Sequence, residues 1–197
     1  MLAAVILSAG ASSRMGRPKA LLPYREGTFL EHLIKVTRHP RIGVTRVVLG
    51  AGADEIRTIA KLDESIVVLN PNWEQGLLSS ICAGIRSVEN LGTEGIVLCP
   101  VDHPLVSARL VGDLIRQFYL NKKSVVLPTY NGRRGHPVIF SSALYAELLE
   151  APADKGARAV VWAHSAEVLG VPTDEEGVVL NINDPDMLRH AIETDKS

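Results

Sequence analysis

Short apolar runs alternate along this chain with stretches in which apolar residues recur every three or four positions. Residues 3–8 form a continuous apolar run closed by Gly10, the pattern of a strand buried on both faces. Residues 46–49, closed by Gly50 and Gly52, and residues 66–69 predict two more strands, and residues 95–99 a fourth that runs into Pro100 and Asp102. Between them Phe29, Leu30, Leu33, Ile34 and Thr37 share one helical face, and so do Leu77, Leu78, Ile81, Cys82, Ile85 and Val88. Ser107 is placed to cap a helix carrying Leu110, Val111, Leu114, Ile115 and Phe118.

The later chain changes character. Residues 125–129 and 138–140 flank Asn131-Gly132, a strong hairpin signal. Helices are predicted over 143–149 and 156–164, and strands near Val168 and over 178–182. Asp184-Pro185 opens a last helix, with Asp as cap and Pro at the first helical position. Such alternation predicts an α/β fold, a mainly parallel sheet with helices on both faces and a β-hairpin insertion, in a single domain over 1–197. Sheets of this kind bind ligands beyond the carboxyl ends of their strands, which directs attention to residues 8–19, 100–104 and 181–184.

Composition narrows the function classes. With 21 basic against 22 acidic residues, the net charge of -1 gives no support to a broad nucleic-acid surface. The first apolar run is too short for a signal peptide or a membrane span, so a cytoplasmic protein without a membrane partner is expected. Two cysteines, Cys82 and Cys99, without metal-like spacing fit a reducing compartment.

The chemistry concentrates at three predicted strand ends. After the first strand comes Leu7-Ser8-Ala9-Gly10-Ala11-Ser12-Ser13-Arg14-Met15-Gly16-Arg17-Pro18-Lys19. Small residues let backbone N–H groups approach a phosphate closely; Arg14 adds a planar fork and Lys19 a point charge. It is neither a Walker loop nor a dinucleotide fingerprint, because Gly-Lys-Ser/Thr is missing and Gly10 and Gly16 are wrongly spaced. Asp102, just past the fourth strand, is a carboxylate suited to hold Mg²⁺ against phosphate oxygens. A lone Asp there equally suits a turn or a cap. Asn181 and Asn183 fall on one face of the predicted last strand.

The first of these runs resembles the signature of the molybdenum cofactor nucleotidyltransferases, Leu-x-Ala/Gly-Gly-x-Ser-x-Arg-Met-Gly-x-x-Lys, a family of molybdopterin cytidylyltransferases and guanylyltransferases. The resemblance continues through residues 70–84, 100–104, Gly135-His136-Pro137, 154–158 and 181–186. It implies a Rossmann-like fold of the nucleotide-diphospho-sugar transferase type and Mg²⁺-dependent transfer of a nucleoside monophosphate with release of pyrophosphate. Arg14, Lys19 and Asp102 would be the catalytic residues, with Asp102 and Asn183 on the metal. Leu7, Ser8, Ala9, Gly10, Gly16, Ser79 and Ser80 would surround the nucleotide, and His136 would lie near the acceptor. Asp184 stands where the family usually has Thr, and both residues cap the following helix. Trp73 is assigned to packing.

Ser8-Ala9-Gly10 lies closer to the Ala-Ala-Gly of cytidylyl members than to a double glycine, so the expected substrates are CTP, favoured over GTP, and a molybdopterin-type acceptor. Guanylyl transfer and a sugar-phosphate nucleotidyltransferase stand as alternatives. From another class comes a delivery partner that hands cofactor to a molybdenum hydroxylase without turnover, and a nucleotide-sensing module is a further one.

Overall fold

The computed structural model describes residues 1–12, 15–184 and 186–189. The described strands are β1 (Leu2–Ser8), β2 (Pro23–Tyr24), β3 (Gly27–Thr28), β4 (Ile42–Leu49), β5 (Val67–Leu69), β6 (Gly95–Pro100), β7 (Val125–Tyr130), β8 (Arg133–Arg134), β9 (Val138–Ser141) and β10 (Val168–Pro172). The helices are α1 (Phe29–Val36), α2 (Ala53–Ile59), α3 (Leu77–Arg86), α4 (Ala108–Asn121), α5 (Tyr145–Leu149) and α6 (Ala157–Ala163). The main sheet runs β10-β7-β9-β6-β1-β4-β5, with β8 pairing on β7; β2 and β3 form a small ribbon of their own. β1 lies parallel to both β4 and β6, β4 to β5 and β7 to β10, while β9 is antiparallel to β6 and β7. The fold is the expected mainly parallel, Rossmann-like α/β sheet.

Alternation along β1 explains the two layers. Leu2 and Ile6 join the core under α1 and α4, together with Phe29, Leu33, Leu110 and Leu114. Ala3, Val5 and Leu7 point the other way, into the core shared with α3, α5 and α6 through Ile81, Ile85, Leu148 and Val160. Every residue of β1 is buried, as its unbroken apolar run requires. Ser107 caps α4 by accepting from the Leu110 N–H at 3.1 Å.

Two segments differ from the sequence pattern. Residues 178–182 are predicted as a strand, but Glu176–Val179 is a 3₁₀ turn and the chain then runs on outside the sheet. Its backbone groups are committed elsewhere. The Val178 carbonyl accepts from the His136 N–H, and the Ile182 N–H donates to the Asp102 carbonyl. Gly177 packs so closely on the Leu105 carbonyl that a Cβ would lie 2.2 Å from its oxygen. The pattern also misses α2, whose only buried residue is Ile56. A helix touching the core through one residue leaves almost no periodic signal.

The hairpin at Asn131-Gly132 forms, with both residues at positive φ, and pairs Tyr130 with Arg133 and Thr129 with Arg134. It covers only β7 and β8. Gly135 to Pro137 then carries the chain back to β9, which inserts antiparallel between β7 and β6.

Candidate active site

The carboxyl ends of β1 and β6, the turn before α3 and the segment after residue 180 surround a cleft of about 290 Å³. It is lined by Leu7, Ser8, Ala9 and Gly10 from the end of β1; Ser12, Pro18 and Lys19 from the loop that follows; and Pro100, Val101 and Asp102 from the end of β6. Trp73, Gly76, Leu77 and Ser80 supply the wall on the α3 side, Ile56 comes from α2, and Asn183 closes the far edge. The ends of β1 and β6, far apart in sequence, converge because parallel neighbours put their carboxyl ends on one edge.

Lys19 holds the centre. It begins a 3₁₀ turn, its N–H donates to Ser12 Oγ at 3.1 Å, and its Nζ donates to Asn183 Oδ1 at 2.6 Å. Nζ also stands 3.7 Å from Asp102 Oδ2, and both side chains are mostly buried. The Ile182 N–H to Asp102 carbonyl bond, at 2.8 Å, pins the two segments side by side and so sets Asn183 opposite Asp102. In this structure a lysine ammonium is the cation held by these two oxygens. A carboxylate and an amide carbonyl are hard donors that fit a divalent cation such as Mg²⁺, which keeps waters and shares phosphate oxygens. Among the described residues no cluster of three His, Cys, Asp or Glu forms a cage, so the protein shell fits a metal whose coordination is completed by a phosphate-bearing ligand.

The remaining candidates lie around this centre. Gly16 lines an adjacent hollow with Gly10, Ser12, Arg17, Pro18 and Gly52. Ser79 faces a groove on the outer side of α3, and its hydroxyl donates to the Gly76 carbonyl at 2.8 Å. His136 does not line the cleft. Its ring packs on His103, centroids 4.6 Å apart, beside the turn at Val178. Burial first, then the His103 and Arg158 charges, pushes His136 down to about 3. Burial also lowers His103, against the pull of Asp102. Both imidazoles are therefore neutral at physiological pH. Arg14 lies outside the described residues. Asp184 accepts from the Met187 N–H at 2.9 Å, an N-terminal cap on the short helix that follows.

Trp73, assigned to packing from sequence, does both jobs. Its Cβ packs so tightly on Gly50 that a side chain there would meet it at 2.5 Å, yet the residue also lines the cleft. Ile56, Leu77 and Pro18 belong to the same apolar lining and carry no sequence motif of their own. Both cysteines are buried free thiols, Cys82 pushed up by burial and Cys99 to about 12, so neither is a ready nucleophile.

Residues 4–168 match the model of the MobA-like NTP transferase domain. The chain belongs to that family. It is 28% identical over 183 residues to the molybdenum cofactor cytidylyltransferase of Escherichia coli, covering 92% of this chain and 91% of that protein. It is 33% identical over 146 residues to nicotine blue oxidoreductase of Paenarthrobacter nicotinovorans, 71% of each. Among solved structures, Rv0371c from Mycobacterium tuberculosis H37Rv in complex with manganese superposes with a TM-score of 0.79 at 28% identity, over 98% of both chains. The family is that of nucleotidyltransferases, and its matched span includes Leu7 to Gly10, Lys19 and Asp102 of the cleft lining.

Proposed function

We propose that this protein transfers CMP from CTP to a molybdopterin-type acceptor, with Mg²⁺ as the metal and pyrophosphate as the leaving group. One observation supports this reading above others: Lys19, Asp102 and Asn183 meet in one cleft bounded by the Gly/Ala/Ser loop. The likeness to the Escherichia coli cytidylyltransferase over most of both chains supports the acceptor, and Ser8-Ala9-Gly10 in place of a double glycine supports the base.

An oxygen of the acceptor's phosphate attacks the α-phosphorus, the new P–O bond forms, and the bond to the β-phosphate oxygen breaks. The nucleophile is already anionic, so no general base is needed, consistent with two neutral histidines and two inert thiols nearby. Backbone N–H groups of residues 8–12 cradle phosphate oxygens. Lys19 moves from Asn183 to the triphosphate, and Arg14 joins it on the leaving pyrophosphate. Asp102 and Asn183 would hold Mg²⁺, which when bound neutralises charge on the phosphates. Positioning and charge neutralisation supply most of the rate.

Metal-dependent pyrophosphate release with molybdopterin as acceptor tests the reading. Asp102→Asn is expected to lower turnover by roughly 10²–10³-fold, about 3–4 kcal/mol, with its circular dichroism unchanged. Equal rates at limiting metal would remove Asp102 from the mechanism. GTP incorporation in place of CTP would reassign the base, and nucleotide binding without pyrophosphate would point to delivery to a molybdenum hydroxylase. The nicotine blue oxidoreductase relative favours a second reading, reduction of an organic substrate by an added two-electron donor such as a nicotinamide coenzyme, which is oxidised in turn. Coenzyme oxidation coupled to substrate reduction, without nucleotide transfer, would establish it.

A further inference from the structure

Helices α1 and α4 both start on a hydroxyl cap, but the two caps are built differently. In α1 the box is local: the Glu31 N–H donates to Thr28 Oγ1 at 3.3 Å, and the Thr28 N–H donates back to Glu31 Oε2 at 2.8 Å. In α4 the residue three positions after the cap is Leu110, which is buried in the core and has no carboxylate to return. Glu175 supplies one from 68 residues away. Its Oε2 accepts from the Ser107 N–H at 3.0 Å and its Oε1 from Ser107 Oγ at 2.5 Å, while Ser107 Oγ accepts from the Leu110 N–H. The carboxylate is mostly buried and sits where the helix dipole favours negative charge.

This cap joins two segments that also meet at the cleft. Residues 175–182 run alongside residues 102–107 in the opposite direction: Glu175 on Ser107, Gly177 on the Leu105 carbonyl, Ile182 on the Asp102 carbonyl. The 102–107 segment is fixed, because Val106 is buried and its carbonyl accepts from His32 Nε2 at 3.0 Å. The other segment lies outside the sheet and has no ladder to hold it. It leads to Asn183, whose Oδ1 faces Asp102 across the Lys19 ammonium. The His136 N–H to Val178 carbonyl bond holds its middle, and Glu175 ties its outer end to α4. Arg109, 3.6 Å from Glu175 Oε1, is exposed and adds little.

We propose that Glu175 is a positioning residue for the metal site: by completing the cap of α4 in trans, it clamps residues 175–183 against residues 102–107 and so sets the gap between Asp102 and Asn183 that receives a divalent cation. This rests on the nucleotidyltransferase reading and deepens it. Groups that orient metal-binding oxygens without touching the ion contribute roughly 10–100-fold to affinity.

The test is Mn²⁺ binding without nucleotide, followed by electron paramagnetic resonance, alongside thermal melts. The proteins are the wild type, Glu175→Ala, Glu175→Gln, Asn183→Ala and the double variant Glu175→Ala with Asn183→Ala, with Thr28→Ala as control because it breaks only the local box of α1. Glu175→Ala is expected to weaken Mn²⁺ by roughly tenfold or more. Glu175→Gln should act in the same direction, since it puts an amide donor where one of two acceptors stood. Thr28→Ala should lower Tm without moving Mn²⁺ affinity. Once Asn183→Ala has removed one side of the gap, adding Glu175→Ala should change Mn²⁺ binding no further. A merely structural glutamate would instead lower Tm with Mn²⁺ affinity unchanged, or weaken Mn²⁺ as much without Asn183 as with it, and either result overturns the proposal. Should Glu175→Ala fail to fold, Glu175→Gln decides alone: unchanged Mn²⁺ affinity overturns the proposal. A wild type that binds no Mn²⁺ yet releases pyrophosphate from CTP overturns it while leaving nucleotidyl transfer standing. A wild type that does neither sinks the nucleotidyltransferase reading itself.

Discussion

At the scale of single residues, the cleft is built from few charges and many constraints. Lys19 bridges two oxygens that come from segments 81 residues apart, and the backbone bond from Ile182 to Asp102 holds those segments side by side. His136 is a second residue whose role follows from surroundings. Because its native pKa is pushed down to about 3, the unfolded chain binds a proton on this ring below pH ~6.5 that the native state refuses. Stability from this source is therefore retained above pH ~6.5 and lost as pH falls, by at most about 1.4 kcal/mol per unit until the native ring titrates near 3. Urea melts at pH 7 and pH 5 should show His136→Gln losing less stability across that interval than the wild type. Parallel losses in both proteins would mean that the ring is solvated and carries no such penalty.

At the scale of elements, α3 sets the polar wall of the cleft, and one glycine sets α3. A Cβ on Gly84 would stand 2.5 Å from Val5 Cγ1, in a strand with no exposed surface. The helix thus rests directly on β1, and Ser80 lies one turn away on the same helix. Gly84→Ala is expected to cost about 1–3 kcal/mol in chemical denaturation, the usual penalty of overpacking a tight core. Adding Val5→Ala should return part of that loss, since it makes room at the point of contact. If the double variant is no more stable than Gly84→Ala alone, the clash lies elsewhere. Among the elements themselves, the strands and amphipathic helices were legible because each has a long apolar run or a full helical stripe. The segment 178–182 reads apolar for a different reason: Val178 and Ile182 fill the core beside β6 and β7 from a turn, not from a ladder.

For the whole molecule, ligand binding should register as stability. A ligand that binds only the native state at a hundred times its Kd adds about 2.7 kcal/mol, or roughly 5–10 °C in Tm for a chain of this size. We expect CTP with Mg²⁺ to raise Tm by about this amount, GTP by less, and CTP with chelator by clearly less, with the metal-dependent part missing in Asp102→Asn. Differential scanning fluorimetry across those conditions checks it. A shift independent of both metal and base would mean that the nucleotide binds through its phosphates alone.

By itself the sequence determined the fold class and two of the strand ends where chemistry gathers, those of β1 and β6, because a doubly buried strand must be continuously apolar and a ligand loop must be small and polar; residues 181–184 it read as a third strand end, where the structure has a turn and an extended segment outside the sheet. It also identified Leu7 to Gly10, Lys19, Ser80, Asp102 and Asn183 as candidates, which the tertiary structure gathers around a single cleft. Only the tertiary structure decided the rest. It alone showed that Trp73 packs and lines the cleft at once, that His136 packs at a tilt against His103 outside the cleft lining, and that Ser79 and Ser80 face different sides of α3. Neighbouring residues in a sequence share composition and propensity, but the groups a side chain meets are set by tertiary partners. Asn70, which donates to both serines from nine and ten positions away on another element, is such a partner, and no local pattern encodes it.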